Sequence, residues 1–164
     1  MAEGADCDEV TKPALTEAIQ DYLRDIYKLR EEGGSVSVTA LAKRLGVSPA
    51  SASAMVKKLA ALGLAVHQPY RGIALTHAGE KVALEVIRHH RLLELYLAET
   101  LGVDVEAVHD EAERLEHVLS EELEERIDKA LGFPTHDPHG DPIPDANLNW
   151  PTGRSGRRTT APRA

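Results

Sequence analysis

Between Gly33 and Gly79 the chain carries no Asp or Glu, yet it carries Lys43, Arg44, Lys57, Lys58 and Arg71. The local signals inside that stretch narrow the fold more than any other part of the sequence. Thr39 is placed to cap a helix over 40–45, Gly46 breaks it, and Ser48 caps a second helix that opens with Pro49 and ends before Gly63. Helix, short turn, helix is the helix-turn-helix unit. Beyond Gly63, residues 64–68 read as a strand, Pro69-Tyr70-Arg71-Gly72 as a tight turn and residues 73–76 as the returning strand. That hairpin is the wing of a winged helix. Taken alone, residues 48–62 would read as an ordinary helical corner, since such corners recur in unrelated folds. The acid-free basic setting and the wing reverse that order and point to duplex DNA.

The flanking segments are helical. An apolar stripe of Leu15, Ile19, Tyr22, Ile26 and Leu29 predicts a first helix over 13–30, with Asp21 beside the stripe and Gly33-Gly34 as its stop. A long helix is expected from Thr76 through His90 and Glu94 to Leu101. Asp104 is placed to cap the next helix, and Ser120 to cap a last one ending at Gly132. Leu115, Val118, Leu119, Leu123, Ile127 and Leu131 are expected to form the buried side of that final pair. The expected fold class is mainly α: a winged helix-turn-helix over residues 1–76, then an all-helical dimerisation domain over 77–148. Helices this short in so small a module need a partner surface, and a two-fold homodimer is the commonest solution. Six of the nine prolines follow Phe133, so the segment beyond it is expected to be extended and then, over 149–164, disordered. Its arginines, Arg154, Arg157, Arg158 and Arg163, read chiefly as a solubilising tail.

A chain of 164 residues that is 42% apolar, without a long apolar run, is expected to be soluble, with no membrane partner. The first residues lack a basic segment followed by an apolar one, so the expected compartment is the cytoplasm. Cys7 has no second cysteine to pair with. A net charge of −8 would ordinarily argue against nucleic acid, but the charge is unevenly spread. Asp104 to Asp128 holds eleven acids against Arg114 and Arg126. A basic module joined to an acidic one suits a phosphate-binding surface coupled to a cation sensor.

Inside the acidic part, His109, Glu113, Glu116 and His117 stand at i, i+4, i+7 and i+8, along one face of a helix. His90 and Glu94 repeat the i, i+4 offset on the preceding helix. Nitrogen and oxygen donors brought together in this way suit a divalent transition ion. Charged residues at helical spacing also serve as solvated, ion-paired faces, and on spacing alone both readings stay open. For DNA, Ser48, Ser51 and Ser53 offer short hydroxyls, Pro49 and Ala50 can touch thymine methyls, and Lys57, Lys58 and Arg71 suit phosphate, with Tyr70 at the wing tip. Each serine is equally a candidate helix cap. With no Arg, Asn or Gln between Ser48 and Leu62, shape and backbone should carry much of the readout.

These motifs together resemble the metal-dependent repressors related to the diphtheria toxin repressor and the manganese transport regulator. The resemblance is carried by Asp21-Tyr-Leu-Arg-Asp-Ile-Tyr27, Leu41-Ala-Lys-Arg-Leu-Gly-Val-Ser-Pro49, Tyr70-Arg-Gly-Ile-Ala-Leu-Thr76, His90-Arg-Leu-Leu-Glu94 and Val108-His-Asp-Glu-Ala-Glu-Arg-Leu-Glu-His117, with His139-Gly-Asp-Pro-Ile-Pro144 beyond. It covers about residues 12–148. It implies a primary metal site at Asp21, Glu113, Glu116 and His117, and an ancillary site at His90, Glu94 and His109. It also implies a repressor that reads a palindromic operator. Iron-type members place Met and Cys where this chain has Asp21 and Glu113, and hard carboxylates favour Mn(II), then Fe(II), over softer ions. Arg24 stands where manganese-type relatives carry an additional glutamate, so a paired-ion site does not carry over. Larger relatives append a small barrel that donates ligands to the ancillary site. Without it, that site is expected to be completed by water or left weak. Metal-free, the acidic cluster is expected to repel itself and the recognition helices to lose their spacing.

Three rivals compete with this reading. A metal-independent winged-helix regulator responding to a small molecule leaves the His and Glu residues merely solvated. A metallohydrolase or di-iron enzyme lacks its motifs here: there is no His-Glu-x2-His, no Gly-x-Ser-x-Gly and no pair of Glu-x2-His segments. A partner-binding module would use the basic region for an acidic protein.

Overall fold

The computed structural model describes residues 15–152. Six helices and one hairpin follow in the order α1 (Glu17–Glu32), α2 (Val38–Leu45), α3 (Pro49–Ala61), β1 (Ala65–Gln68), β2 (Gly72–Leu75), α4 (His77–Glu99), α5 (Val108–Leu115) and α6 (Glu121–Ala130). The starts are set by side-chain oxygens that take up otherwise unpaired backbone N–H groups. Thr16, Ser37, Ser48, Thr76 and Ser120 each accept from the N–H three residues on. Two expected caps move. Ser37, not Thr39, starts α2, two residues earlier. Asp104 accepts through its backbone carbonyl, from Ala107 and Val108, so α5 begins only at Val108 with no side-chain cap.

The wing is an antiparallel pair with Ala65 opposite Leu75 and Gln68 opposite Gly72, extended by a bridge from Val36 to Ile73. Gly72 is required there: its φ is +85°, and a β-carbon would lie 2.5 Å from the Val36 carbonyl oxygen. Gly79 is required by closeness alone, because a β-carbon would fall 2.0 Å from the Leu64 carbonyl oxygen. This contact presses the start of α4 onto the wing.

Leu23, Ile26, Leu41, Ala52, Val56 and Leu59 form the first core, which Ala83 and Ile87 of α4 close. Leu92, Leu93 and Leu95, further along α4, form a second core with Ala112, Ile127 and Ile143. The 23-residue α4, about 34 Å long at 1.5 Å per residue, is therefore a spine shared by both halves. Residue 76, the expected boundary, is its N-cap. Among the described residues no helix is long and apolar enough to cross a membrane.

Two expectations for the second half are corrected. Of the apolar residues expected to be buried there, Ile127 is, and Leu119 and Leu131 are partly so, but Leu115, Val118 and Leu123 are exposed, as is Phe133. This half is one layer of helices over α4, and none of the described residues covers its outer face. The proline-rich segment is ordered as far as the described residues go. Arg88 and Arg91 donate to the carbonyls of Pro144 and Pro142, Ile143 enters the core, and Trp150 Nε1 donates to Tyr27 Oη at 3.1 Å with the rings stacked. Asn149 and Trp150 thus belong to the folded body. Cys7 and the tail arginines lie outside the described residues, as does the expected start of the first helix at Pro13.

Candidate metal centre and nucleic-acid face

Among the described residues, acidic and imidazole side chains gather into three linked groups. In the first, α1 supplies Asp21 and the turn after α5 supplies Glu116 and His117. His117 Nε2 lies 3.0 Å from Asp21 Oδ1 and 3.3 Å from Glu116 Oε1. Its other nitrogen, Nδ1, donates to Gln20 Oε1 at 2.7 Å, which fixes the ring and leaves Nε2 to face the carboxylates. Gln20 was not anticipated from the sequence; its place one residue before Asp21 was the available signal. Burial raises the Asp21 carboxyl above its ordinary value, against the lowering effects of Arg24 and His117.

The expected unbroken helical stripe does not form. Helix α5 ends at Leu115, and Glu116 and His117 sit in the turn that Ser120 closes by starting α6. That break separates Glu113 from the other expected primary ligands. Its carboxylate lies 3.4 Å from His109 Nε2 and is about half exposed. It borders the same cleft as Asp21, Glu116 and His117, but it is not one of the three that converge there.

In the second group, His90 is held between two carboxylates. Nδ1 donates to Glu116 Oε2 at 2.5 Å and Nε2 to Glu94 Oε1 at 2.7 Å. His109 Nδ1 lies 3.1 Å from the same Glu94 oxygen and 3.1 Å from His90 Nε2. Burial pulls the His90 imidazole down, but its hydrogen bonds to Glu116 and Glu94 outweigh this and hold it at about 8. Burial would raise Glu94, yet the His90 hydrogen bond and charge bring it to about 2. The pair is therefore an imidazolium clamped by carboxylates at neutral pH.

A third group was not anticipated. The 134–150 segment brings His139 Nδ1 to 3.2 Å from Glu94 Oε2, with Asp137 beside it. Asp137 Oδ1 accepts from the backbone of His139 and Asp141, a tight turn that aims the His139 ring. The ancillary residues His90, Glu94 and His109 thus gain protein groups where water was expected. The phrase His139-Gly-Asp-Pro pointed to a loop but carried no sign that it folds back onto α4.

The three groups share residues. Glu116, buried, touches the first group through Oε1 and His90 through Oε2; Glu94 joins the second and third. Donor atoms of Asp21, Glu116 and His117 lie within 4.8 Å of one another, as do those of His90, Glu94 and His109, and those of Glu94, Asp137 and His139. Hard oxygen with imidazole nitrogen suits Mn(II) or Fe(II). The first group already holds one cation: Arg24 Nη1 is 2.5 Å from Glu116 Oε1 and 3.4 Å from Asp21 Oδ1. Arg24 Nε, in contrast, is buried with no hydrogen-bond partner among the described residues.

In the reading head, α3 buries Ala52, Val56 and Leu59 and presents Pro49, Ala50, Ser51, Lys57 and Lys58 to solvent, with Ser53 half-buried. Ser48 is engaged as the helix cap, and its hydroxyl also bonds that of Ser51 at 2.9 Å. Tyr70, at φ +65°, is fully exposed at the wing tip beside exposed Arg71. Arg44, counted in the basic stretch, is paired with Glu32 at 2.7 Å and Asp25 at 3.4 Å.

Comparison with known proteins agrees with this architecture. Residues 14–73 match the iron dependent repressor N-terminal DNA binding domain, and residues 76–145 match the iron dependent repressor metal binding and dimerisation domain. The diphtheria toxin repressor of Corynebacterium diphtheriae is 40% identical over 130 residues, covering 79% of this chain and 58% of that protein. The iron-dependent repressor IdeR of Mycobacterium tuberculosis is 41% identical over 130 residues, covering 79% of this chain and 56% of the relative. A solved manganese-dependent transcriptional repressor in complex with manganese superimposes with a TM-score of 0.76 at 47% identity, covering 83% of this chain and 63% of its own. The chain thus spans somewhat more than half the length of these two curated relatives. With both halves matched in order and the ligand-bearing turns in place, the chain belongs to the iron-dependent repressor family, which includes the diphtheria toxin repressor.

Proposed function

We propose that this protein is a divalent-metal-dependent, DNA-binding transcriptional repressor. It acts as a homodimer in the cytoplasm, takes Mn(II) or Fe(II) as corepressor and binds a palindromic operator. It is not an enzyme. One observation carries the reading: the first group draws Asp21 from the reading head and Glu116 and His117 from the helical half. A bound ion would supply a positive charge shared by donors from both halves and so hold one half against the other. Asp21 would then carry the constraint along α1, which packs in the core of the reading head.

The remaining residues have matching roles. Lys57, Lys58 and Arg71 would neutralise phosphates, and Pro49, Ala50, Ser51 and Ser53 would meet the base edges. Leu115, Val118, Leu123 and Phe133 form an uncovered apolar face that suits a second copy of the chain. A two-fold dimer must place its α3 helices about 34 Å apart to enter successive major grooves. The metal-independent alternative is not carried forward, because relatives of this chain are named as iron- and manganese-dependent repressors.

The test is a gel-shift titration of metal-stripped protein on its own promoter with Mn(II), anaerobic Fe(II), Co(II) and Zn(II). Metal is expected to tighten binding by about a hundredfold if the ion favours the DNA-competent arrangement by ~3 kcal/mol. Equal binding without metal would overturn the proposal.

A further inference from the structure

We infer that Arg24 is a built-in competitor for the cation of the first group, and that it sets how much metal the protein needs before it responds. This rests on the reading of Asp21, Glu116 and His117 as a metal site. Metal-free, those carboxylates do not simply repel one another as the charge count suggested. Arg24 reaches Glu116 Oε1 at 2.5 Å and Asp21 Oδ1 at 3.4 Å, so a guanidinium holds the oxygens that face His117 Nε2.

Arginine stays charged at any physiological pH and has no lone pair to offer a metal. Arg24 and a divalent ion therefore cannot share Glu116 Oε1 without like charges in contact. To release that oxygen, Arg24 must swing away. The chain has room for this: a cleft of about 330 Å³ opens beside the group, and Glu17 and Glu113 border it. Both are exposed acids suited to receive the guanidinium. The resting pose is also imperfect. Arg24 Nε is buried without a hydrogen-bond partner among the described residues, 3.6 Å from Asp25 Oδ1, so the guanidinium is held by its Nη1 bond to Glu116 and by charge, with one donor left unmet. A group held in that manner can be displaced, whereas a fully bonded one would lock the site shut.

The consequence is quantitative. A site accessible one-tenth of the time binds about tenfold more weakly than its intrinsic affinity. Glu113, expected from the resemblance to be a ligand, becomes instead a candidate acceptor for the displaced guanidinium.

Mn(II) binding to the full-length, metal-stripped chain, followed by the EPR signal of free Mn(II), tests this together with thermal melting. Arg24→Met is expected to bind Mn(II) at least about tenfold more tightly and, without metal, to melt at a lower temperature than the wild type. Arg24→Gln supplies the same comparison if Arg24→Met does not fold. Tightening of less than about threefold, or tightening with the metal-free melting temperature unchanged, overturns the inference. Removing a distant charge would tighten binding slightly but would not destabilise the metal-free state. His117→Ala separates the two levels. If it keeps the Mn(II) equivalent, the site itself is misassigned and the inference falls with it; if it loses that equivalent, the Arg24 result is decisive.

Discussion

The reading head, from α1 to β2, buries a single carboxylate, Asp25, whereas the half beyond Thr76 buries Arg88, His90, Glu94, Glu116, Asp128 and Asp137. The head's core is completed by Ala83 and Ile87 of α4. The second half exposes Leu115, Val118, Leu123 and Phe133 while it takes charge inside. Buried charge is tolerated only when paired, and besides His90 with Glu94 within α4 the pairs here join separate elements: Arg88 of α4 with Glu124 and Asp128 of α6, His90 with Glu116, and Arg24 with Glu116 across the two halves. The head is thus built to keep its shape, and the other half to respond to cations and to a partner.

The largest effect expected from breaking this contrast is at Glu116, which serves two groups at once. Glu116→Gln should leave helicity intact and remove the metal stimulation of DNA binding, a loss of about a hundredfold in a gel-shift titration with Mn(II). Next, Val118→Asp puts a charge on the uncovered apolar face. The dimer should weaken by tenfold or more, on the order of 2 kcal/mol, in sedimentation equilibrium, with the helical content of the monomer unchanged.

The third effect is on pH. His90 sits at about 8 against an ordinary 6.5, so the folded state binds its proton more tightly than the unfolded chain does. Its contribution to metal-free stability is fully present below about pH 6.5 and is lost as pH rises through about 8. His89 acts in the same sense: burial lowers it, but its bond to Glu124 raises it above the ordinary value. Urea denaturation of stripped protein should show a decline on the order of 2 kcal/mol from His90 over this window, and His90→Gln should flatten it. The smallest effect belongs to the head. Arg71→Ala should weaken binding to all DNA sequences a few-fold and reduce the salt slope by about one, with metal affinity unchanged.

The head was legible because its signals are local. Ser48 and Pro49 start α3, Gly72 forces the turn into β2, and the apolar spacing of α1 marks its buried side; none of these depends on distant residues. The second half was less legible for a physical reason. A run such as His109 to His117 suits an unbroken helix by spacing, but Ser120 begins α6 so soon after it that α5 must stop at Leu115. That stop redirects Glu116 and His117 toward α1 and leaves Glu113 with His109. The third group was invisible for a similar reason. His139 and Asp137 follow Glu94 by more than forty residues, in a segment whose prolines argue for extension; Arg88 and Arg91 tie that segment down through its carbonyls.

By itself, the sequence determined which residue types could meet a metal or a phosphate, and that the basic and acidic surfaces lie in separate modules. Composition, caps and periodicity are properties of neighbouring residues and survive without a fold. Only the tertiary structure decided which donors converge, that Arg24 stands among them, and that Trp150 returns to Tyr27. Those outcomes depend on distances of a few ångströms between groups far apart in the chain, and packing sets such distances.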